Sequence, residues 1–477
     1  MKQPNILLFV TDQQQRATIG AYGGSLVQTP NLDRLAAQGL TFDRCYTGCG
    51  LCSPIRSSLF TGTYPHDHGV LTNIPLHPVR QELHPDRDVL TPRMKQAGYR
   101  LGYVGKWHVA NRYTPLDFGF EEYVSLSDYA AYRKNLGIPL PEEAMNYVTP
   151  VSAVDPAPVE HCRPAFLADN AIRIMQHFAK DTEHPFFLRL DFHGPHLPNV
   201  IPEPYASMYA LENIPKPATY DENLSGKPAV QRIKRKHWEM ENMPWEEFRQ
   251  HVQKYYGEVT LLDHQMGRVL EALDRLDLAG DTVVFFTADH GDTMGDHRIW
   301  NKDYTMYDQI YHIPFIARWP GVIRPGARNA AFISQMLDLT PTLLDLCGAD
   351  TPEGLHGQSL LPLLRDEPQA RRDDAFSEFH GSHMGLYSMR MVETEHYKYV
   401  FHSNDIDELS DHRDDPDEAV NLAENPVYAD VLRDMKLRMV AWLRKTNDHL
   451  YNEWIVYWLT GNEKLALDAP GRRKVQW

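Results

Sequence analysis

The residues Cys52-Ser53-Pro54-Ile55-Arg56 stand directly ahead of Ser57-Ser58-Leu59-Phe60-Thr61-Gly62. Serine caps helix N-termini, proline suits the first helical position and glycine closes a helix in the left-handed conformation. The stretch therefore predicts a short helix with Ser53 as its cap, Pro54 first and Gly62 just past its end. A side chain at position 52 then lies beside the unpaired N–H groups and the positive end of the helix dipole, a place that holds an anion. Arg56 puts a cation in the first turn, where that dipole disfavours it. A local rule broken in this way points to service in a site. Against this stands the plainer reading of Cys52 as a small buried apolar residue.

Other reactive side chains fall at the ends of apolar runs. Ile6 to Val10, Leu101 to Val104, Phe186 to Leu190 and Val283 to Phe286 are branched or aromatic runs bounded by polar residues, and they predict buried strands. They deliver, in turn, Thr11-Asp12-Gln13, Gly105-Lys106-Trp107-His108, Asp191-Phe192-His193-Gly194-Pro195-His196 and Thr287-Ala288-Asp289-His290-Gly291-Asp292. Asp12, Asp289 and His290 are candidate ligands of a divalent cation, with positions left for substrate and for the group at 52.

These runs need helices between them. Thr29-Pro30 opens one through Leu32, Leu35 and Ala36, closed by Gly39. Val259, Leu262, Met266, Val269, Leu270 and Leu273 keep a 3.6-residue period for a longer one. Strands alternating with helices predict an α/β fold with a mainly parallel central sheet, and in such sheets ligands gather at the carboxyl ends of the strands.

Cys52 to Arg56 with Leu59-Phe60-Thr61-Gly62 resembles the signature of the sulfatase family, and Gly98-Tyr99 through Gly105-Lys106-Trp107-His108 is similar to its second signature. The resemblance implies an alkaline-phosphatase-like large domain with helices flanking the sheet. It also implies oxidation of Cys52 to formylglycine by a formylglycine-generating enzyme. One hydroxyl of the aldehyde hydrate would attack sulfur to form a covalent sulfo-enzyme, and the other would expel sulfate. By the same resemblance Arg56 and Lys106 fix the hydrate and His108 takes its proton. His196 and Lys302 bind the sulfate oxygens, one of them protonating the leaving alkoxide, and Asn73 matches by its distance from Cys52. The metal ligands would be Asp12, Cys52, Asp289 and His290.

Asp12-Gln13 and Asp289-His290 stand where the family often has Asp-Asp and Asp-Asn, and they resemble the choline-sulfatase and phosphonate monoester hydrolase branches. The nitrogen ligand favours Mn²⁺, with Ca²⁺ as the alternative, and the Gln13 carbonyl is a further candidate ligand. Asp415-Pro416-Asp417-Glu418 and Asn421-Leu422-Ala423 carry the resemblance through nearly the whole chain. The expected substrate is a small-molecule sulfate ester. Phosphonate monoesters or phosphodiesters are the alternative, since they too present a tetrahedral anionic centre with a leaving oxygen. A remote alternative lies in Cys45, Cys49 and Cys52, whose C-x₃-C-x₂-C spacing resembles radical S-adenosylmethionine enzymes with an iron–sulfur cluster. That reading gives Pro54 and Arg56 no role.

A chain of 477 residues with a net charge of −16 has the size for a large domain and a smaller one, and excludes a nucleic-acid surface overall. Arg232, Lys234, Arg235 and Lys236 form a local basic run, expected to be a solvated helix face. Five cysteines do not make a disulfide framework. The catalytic α/β domain is expected over 1–365. A small α+β domain is expected over 366–477, after the linker-like Arg365-Asp366-Glu367-Pro368, with strands near Met389 to Val392 and Tyr397 to Phe401. The irregular stretches 113–165 and 200–250 are expected to wall the pocket. The tail from Tyr451 to Trp477 is apolar for a terminus and is expected to pack on its own chain or on a second copy. No stretch is long enough to span a membrane, and Asp12 cuts short the first apolar run, so a soluble bacterial cytoplasmic protein is the expectation.

Overall fold

The structure, a computed structural model, describes residues 3–74, 82–141 and 150–461. Its strands are β1 (Asn5–Asp12), β2 (Leu40–Tyr46), β3 (Arg100–Gly105), β4 (Glu122–Val124), β5 (Ser152–Asp155), β6 (Phe186–Pro195) and β7 (Asn199–Pro202). They continue with β8 (Thr282–Ala288), β9 (Phe315–Arg318), β10 (Ala327–Ser334), β11 (Asp374–Ser382), β12 (Gly385–Thr394), β13 (Tyr397–His402) and β14 (Glu408–Asp411). Eight of them make one sheet in the order β10-β2-β9-β8-β1-β6-β3-β4. Every neighbouring pair in it is parallel except the two that involve β9. The mixed α/β fold with a mainly parallel sheet is thus observed.

The apolar continuity of β1 has a direct cause. Ile6, Leu8 and Val10 face one hydrophobic cluster, Leu7 and Phe9 face another on the opposite side of the sheet, and all five are fully buried. A strand covered on both faces cannot alternate with polar residues. The long periodic helix spans Trp245–Arg275 and lays Leu262, Met266, Val269, Leu270 and Leu273 on the second cluster. Its first turns, with the helix Ala229–His237, fill part of the stretch expected to be irregular. Tyr64 to Gly69 contains one helical turn, Pro65–His68.

Strands β11 to β14 form an antiparallel sheet, against which the helix Ala429–Lys445 packs through Met435, Met439, Trp442 and Leu443. Phe379, Met389, Met391 and Val400 of this sheet belong to the same cluster as Phe42, Phe332 and Leu339. The helix Glu453–Thr460 buries Val456 and Leu459 on its own chain and exposes Trp454, Tyr457 and Trp458. The rest of the tail, 462–477, lies outside the described residues. Among the described residues no helix is long and apolar enough to cross a membrane.

His66 ties the first half of the chain to the second sheet. Its backbone N–H donates to Glu378 Oε1 at 2.7 Å, Nδ1–H to Glu378 Oε2 at 2.6 Å and Nε2–H to the Thr446 carbonyl at 3.1 Å. Burial works against the imidazolium, but Glu378 and Asp448 outweigh it and push His66 up from 6.5 to about 9. A shift of that size is worth about 3 kcal/mol. Because the folded value is the raised one, the contribution is complete below pH 6.5 and disappears as pH rises through about 9. Urea unfolding across that window should show stability falling in the wild type, and a flatter profile from a lower start in His66→Ala.

Candidate active site

The helix that carries Cys52 spans Cys52–Thr61 and is buried along its whole length. Its start differs from the expected one: Leu51 is the capping residue, Cys52 is already helical, and no local side chain caps the end. The cap comes from a distant segment. Asn73 Oδ1 accepts the Ser53 N–H at 2.9 Å, and Ser53 Oγ accepts the Ile74 N–H at 3.1 Å. Gly62 closes the helix at φ 68°. Side chains lean towards the N-terminus of a helix, so Cys52 sits over its open end.

Arg56 joins this helix to the sheet. Its Nε donates to Asp289 Oδ2 at 2.9 Å, Nη1 to Asp191 Oδ2 at 2.6 Å and to the Lys106 carbonyl at 3.0 Å, and Nη2 to Asp12 Oδ2 at 3.2 Å. All four side chains in these ion pairs are completely buried. Asp191 also accepts from both Arg189 Nε and Nη2 at 2.7 Å and from Tyr103 OH at 2.9 Å. Asp289 is aimed by backbone: its Oδ1 accepts the N–H groups of Gln13 at 3.0 Å and His290 at 2.9 Å. Asp191 follows the apolar run Phe186 to Leu190 with no local pattern that marks a role. The network around it is visible only when β1, β3, β6 and β8 lie side by side.

Cys52 Sγ lies 3.2 Å from His290 Nε2, 3.8 Å from Asp12 Oδ1, 3.6 Å from Lys106 Nζ and 3.9 Å from Asn73 Nδ2. Lys106 Nζ is also paired with Asp12 Oδ2. Burial works to raise the Cys52 thiol, but Lys106, Lys302 and His290 outweigh it and hold it well below the usual range. Burial likewise opposes the Asp12 carboxylate, yet the charges of Lys106 and Arg56 hold it well below the usual carboxylate range. Asp12, Cys52, Asp289 and His290, all buried, offer ligand atoms within 4.8 Å of one another. Two carboxylates, one imidazole and a group at 52 suit a cation that accepts oxygen and nitrogen. Cys45 and Cys49 do not join them. Among the described residues the candidate ligand groups include no cysteine but Cys52, and Cys45 and Cys49 lie in the core with thiols pushed up by burial. The three-thiolate reading is thereby corrected.

On the open side lies a cavity of about 610 Å³, reached by Lys106, His108, Asn73, His193, His196 and Lys302. His108 donates Nε2–H to the Ile74 carbonyl at 2.6 Å, which leaves Nδ1 as a buried acceptor without a hydrogen bond, and the ring neighbours Cys52. His196 donates Nδ1–H to the Leu197 carbonyl at 2.6 Å; burial and the charges of Lys302 and Lys106 push it down to about 4. Gln13 departs from its expected role: its side-chain carbonyl accepts from Lys302 Nζ and its amide donates to Asp292. The walls are Tyr113, Tyr123, Ser125 and Leu126 from the first irregular stretch and Trp238 from the second. Ser382 and His383, from the β11–β12 turn, were not anticipated, because no local pattern marks a turn that crosses to another sheet's site.

The family model described as Sulfatase matches residues 4–349, and one described as N-sulphoglucosamine sulphohydrolase, C-terminal, matches 295–445. The chain belongs to the sulfatase family. It is a sulfuric ester hydrolase by that membership. Among its relatives, the uncharacterized sulfatase YidJ of Escherichia coli is 29% identical, covering 94% of this chain and 88% of its own. The N-acetylglucosamine-6-O-sulfatase of Bacteroides thetaiotaomicron is 25% identical, covering 90% and 84%. The crystal structure of the phosphonate monoester hydrolase of Agrobacterium radiobacter superposes with a TM-score of 0.80 at 26% identity, covering 94% of this sulfatase and 98% of that chain.

Removing one partner from a buried ion-pair network leaves an uncompensated charge, at a cost of about 3–5 kcal/mol. Asp191→Asn should therefore lower the unfolding free energy by about that amount. A denaturation midpoint equal to that of the wild type would remove Asp191 from this role.

Proposed function

We propose that this sulfatase hydrolyses a small-molecule sulfate ester with a formylglycine formed from Cys52 by a maturing enzyme, and with one divalent cation, Ca²⁺ or Mn²⁺. The observation that carries the proposal is the position of Cys52 Sγ between the Asp12–Asp289–His290 group and Lys106, which itself lines the cavity. Asp12, Asp289 and His290, with the group at 52, would hold the cation, which would polarise the ester and acidify a hydroxyl. Formylglycine would supply, as its hydrate, two hydroxyls on one carbon, one to attack sulfur and one to release sulfate.

The remaining work falls to side chains. Lys106 orients the group at 52 from 3.6 Å, and Arg56 holds Asp12 and Asp289 at their spacing. His108 keeps its Nδ1 lone pair free because Nε2–H is committed to Ile74, so it is the base for a proton from position 52. Burial with Lys302 and Lys106 nearby favours neutral His196, and an arriving sulfate favours protonation of Nε2 for a bond to its oxygen. Lys302 approaches the same group, and one of the two protonates the leaving alkoxide. Asn73 caps the helix and borders Cys52, which makes it a positioning residue as well as a substrate contact. The same reading divides the chain into a catalytic unit over 1–365 and a smaller unit over 366–477. It takes the exposed Trp454, Tyr457 and Trp458 face as a contact between copies in a bacterial cytoplasm.

Phosphonate monoester hydrolysis is the second reading, favoured by Asp289-His290 and by the likeness to the Agrobacterium enzyme. Turnover of an aryl sulfate and an aryl phosphonate monoester by one preparation separates the two. For the nucleophile, the tryptic peptide Cys45 to Arg56 from the native host should have the mass of an aldehyde at position 52. A thiol there throughout an active sample would overturn the mechanism. Asp289→Asn should lose bound metal and rate together, by about a hundredfold or more in kcat. Full metal content by elemental analysis would take Asp289 off the ligand set.

A further inference from the structure

Lys234 lies on the helix Ala229–His237, within the basic run expected to be solvated. Instead it is fully buried, and Arg235 nearly so. Its ammonium donates to the Asp303 carbonyl at 2.7 Å and to the Lys302 carbonyl, with Asp303 Oδ1 at 3.6 Å. Two successive carbonyls of the loop that carries Lys302 are thus held by one charged donor.

That loop is strained. Asn301, Asp303 and Tyr304 have φ of 69°, 73° and 51°, left-handed conformations costly for residues with a Cβ. Such backbone persists only where its surroundings over-determine it. Other anchors flank the grip. Asp292 Oδ1 accepts the Asn301 N–H at 3.0 Å, and Tyr304 OH donates to the Gly385 carbonyl at 2.7 Å. Between these anchors, Lys302 turns its side chain towards Gln13 and Cys52. Burying a lysine is expensive, and burial is what pushes this one down to about 8. An apolar side chain of equal volume would pack without that cost but would leave both carbonyls unpaired.

We propose that Lys234 is a positioning residue for recognition of the anionic ester. By gripping the Lys302 and Asp303 carbonyls it holds the left-handed loop that aims Lys302 Nζ into the cavity. The proposal rests on the reading of the cavity as the ester site. The geometry separates the two lysines by role: Lys302 meets the substrate, and Lys234 acts through it.

The test is a double-mutant cycle on matured, metal-loaded enzyme with an aryl sulfate, or with the aryl phosphonate if that is the ester turned over. Lys234→Met should lower kcat/KM by about 10- to 100-fold where Lys302 is present, as expected for a misaimed group. In a Lys302→Ala background the same change should cost less than about 3-fold, because the residue it positions is gone. Equal losses in both backgrounds, or no loss with Lys302 present, would overturn the proposal. Thermal melts show whether Lys234→Met folds. Should it not fold, Lys234→Gln, which keeps a donor for one carbonyl, goes through the same cycle. Calorimetric binding of inorganic sulfate gives a readout independent of turnover, and Lys234→Met should weaken it by about the same factor. A wild type inactive on both esters but binding sulfate would count against the ester-hydrolase reading. Unweakened sulfate binding by Lys234→Met would count against the role of Lys234.

Discussion

A buried guanidinium sets the terms for the rest of the molecule. Arg56 lies among the carboxylates of Asp12, Asp191 and Asp289, with no exposure on any of the four side chains. Without it, three anions from three neighbouring strands would face one another out of water. Without them, a cation would sit unpaired in the first turn of a helix whose dipole opposes it. Each half of the arrangement requires the other. The Cys52 helix can therefore dock in one register only, and that register puts Cys52 over the carboxyl edge of the sheet.

The same constraint shapes the electrostatics of Cys52. Asp12 and Asp289 belong together only with positive charge near both. Asp12, paired directly with Lys106, is held down; Asp289, under burial and the charge of Asp12, is pushed up despite its contact with Arg56. This asymmetry gives two carboxylates of one cluster different proton affinities. The cation of Lys302 and the neutral imidazole of His196 line the cavity. An anionic ester entering there meets positive charge, while the negative charges lie beneath position 52.

Much of this was legible in the chain because it depends on local pattern. Two-sided burial makes β1, β3, β6 and β8 read as apolar runs, and the polar residues ending them mark the site edge. Features built by distant contacts were not legible. Ser53 looks like a cap, yet its amide is taken by Asn73, twenty residues on. Asp191 looks like any polar residue after a strand, and its four donors come from Arg56, Arg189 and Tyr103. Lys234 reads as one basic residue in a run of four, because composition does not report which face of a helix meets a strained loop. Strand β9 is four residues long and antiparallel to both neighbours, too short to carry a pattern of its own.

The division between what was and was not legible follows a division of labour. The groups around Cys52 come from strand ends and one helix of the large sheet, rigid elements fixed by two hydrophobic clusters. The cavity walls come mostly from elsewhere: Tyr123 from the edge strand β4, Tyr113 and Leu126 from the segments around it, Trp238 from another interposed stretch, His383 from the turn of the second sheet. Trp238 packs edge-on against both Trp300 and His383, which joins two of these walls to the segment bearing Lys302. Residues on such connecting segments can change without disturbing the Arg56 network, since none of these walls contributes to it. The centre that meets the anionic group is thus held by the core of the fold. These cavity walls stand outside the Arg56 network, on the edge strand β4 and on connecting segments. On the proposed reading, the alcohol part of the ester would therefore be met by residues apart from that network.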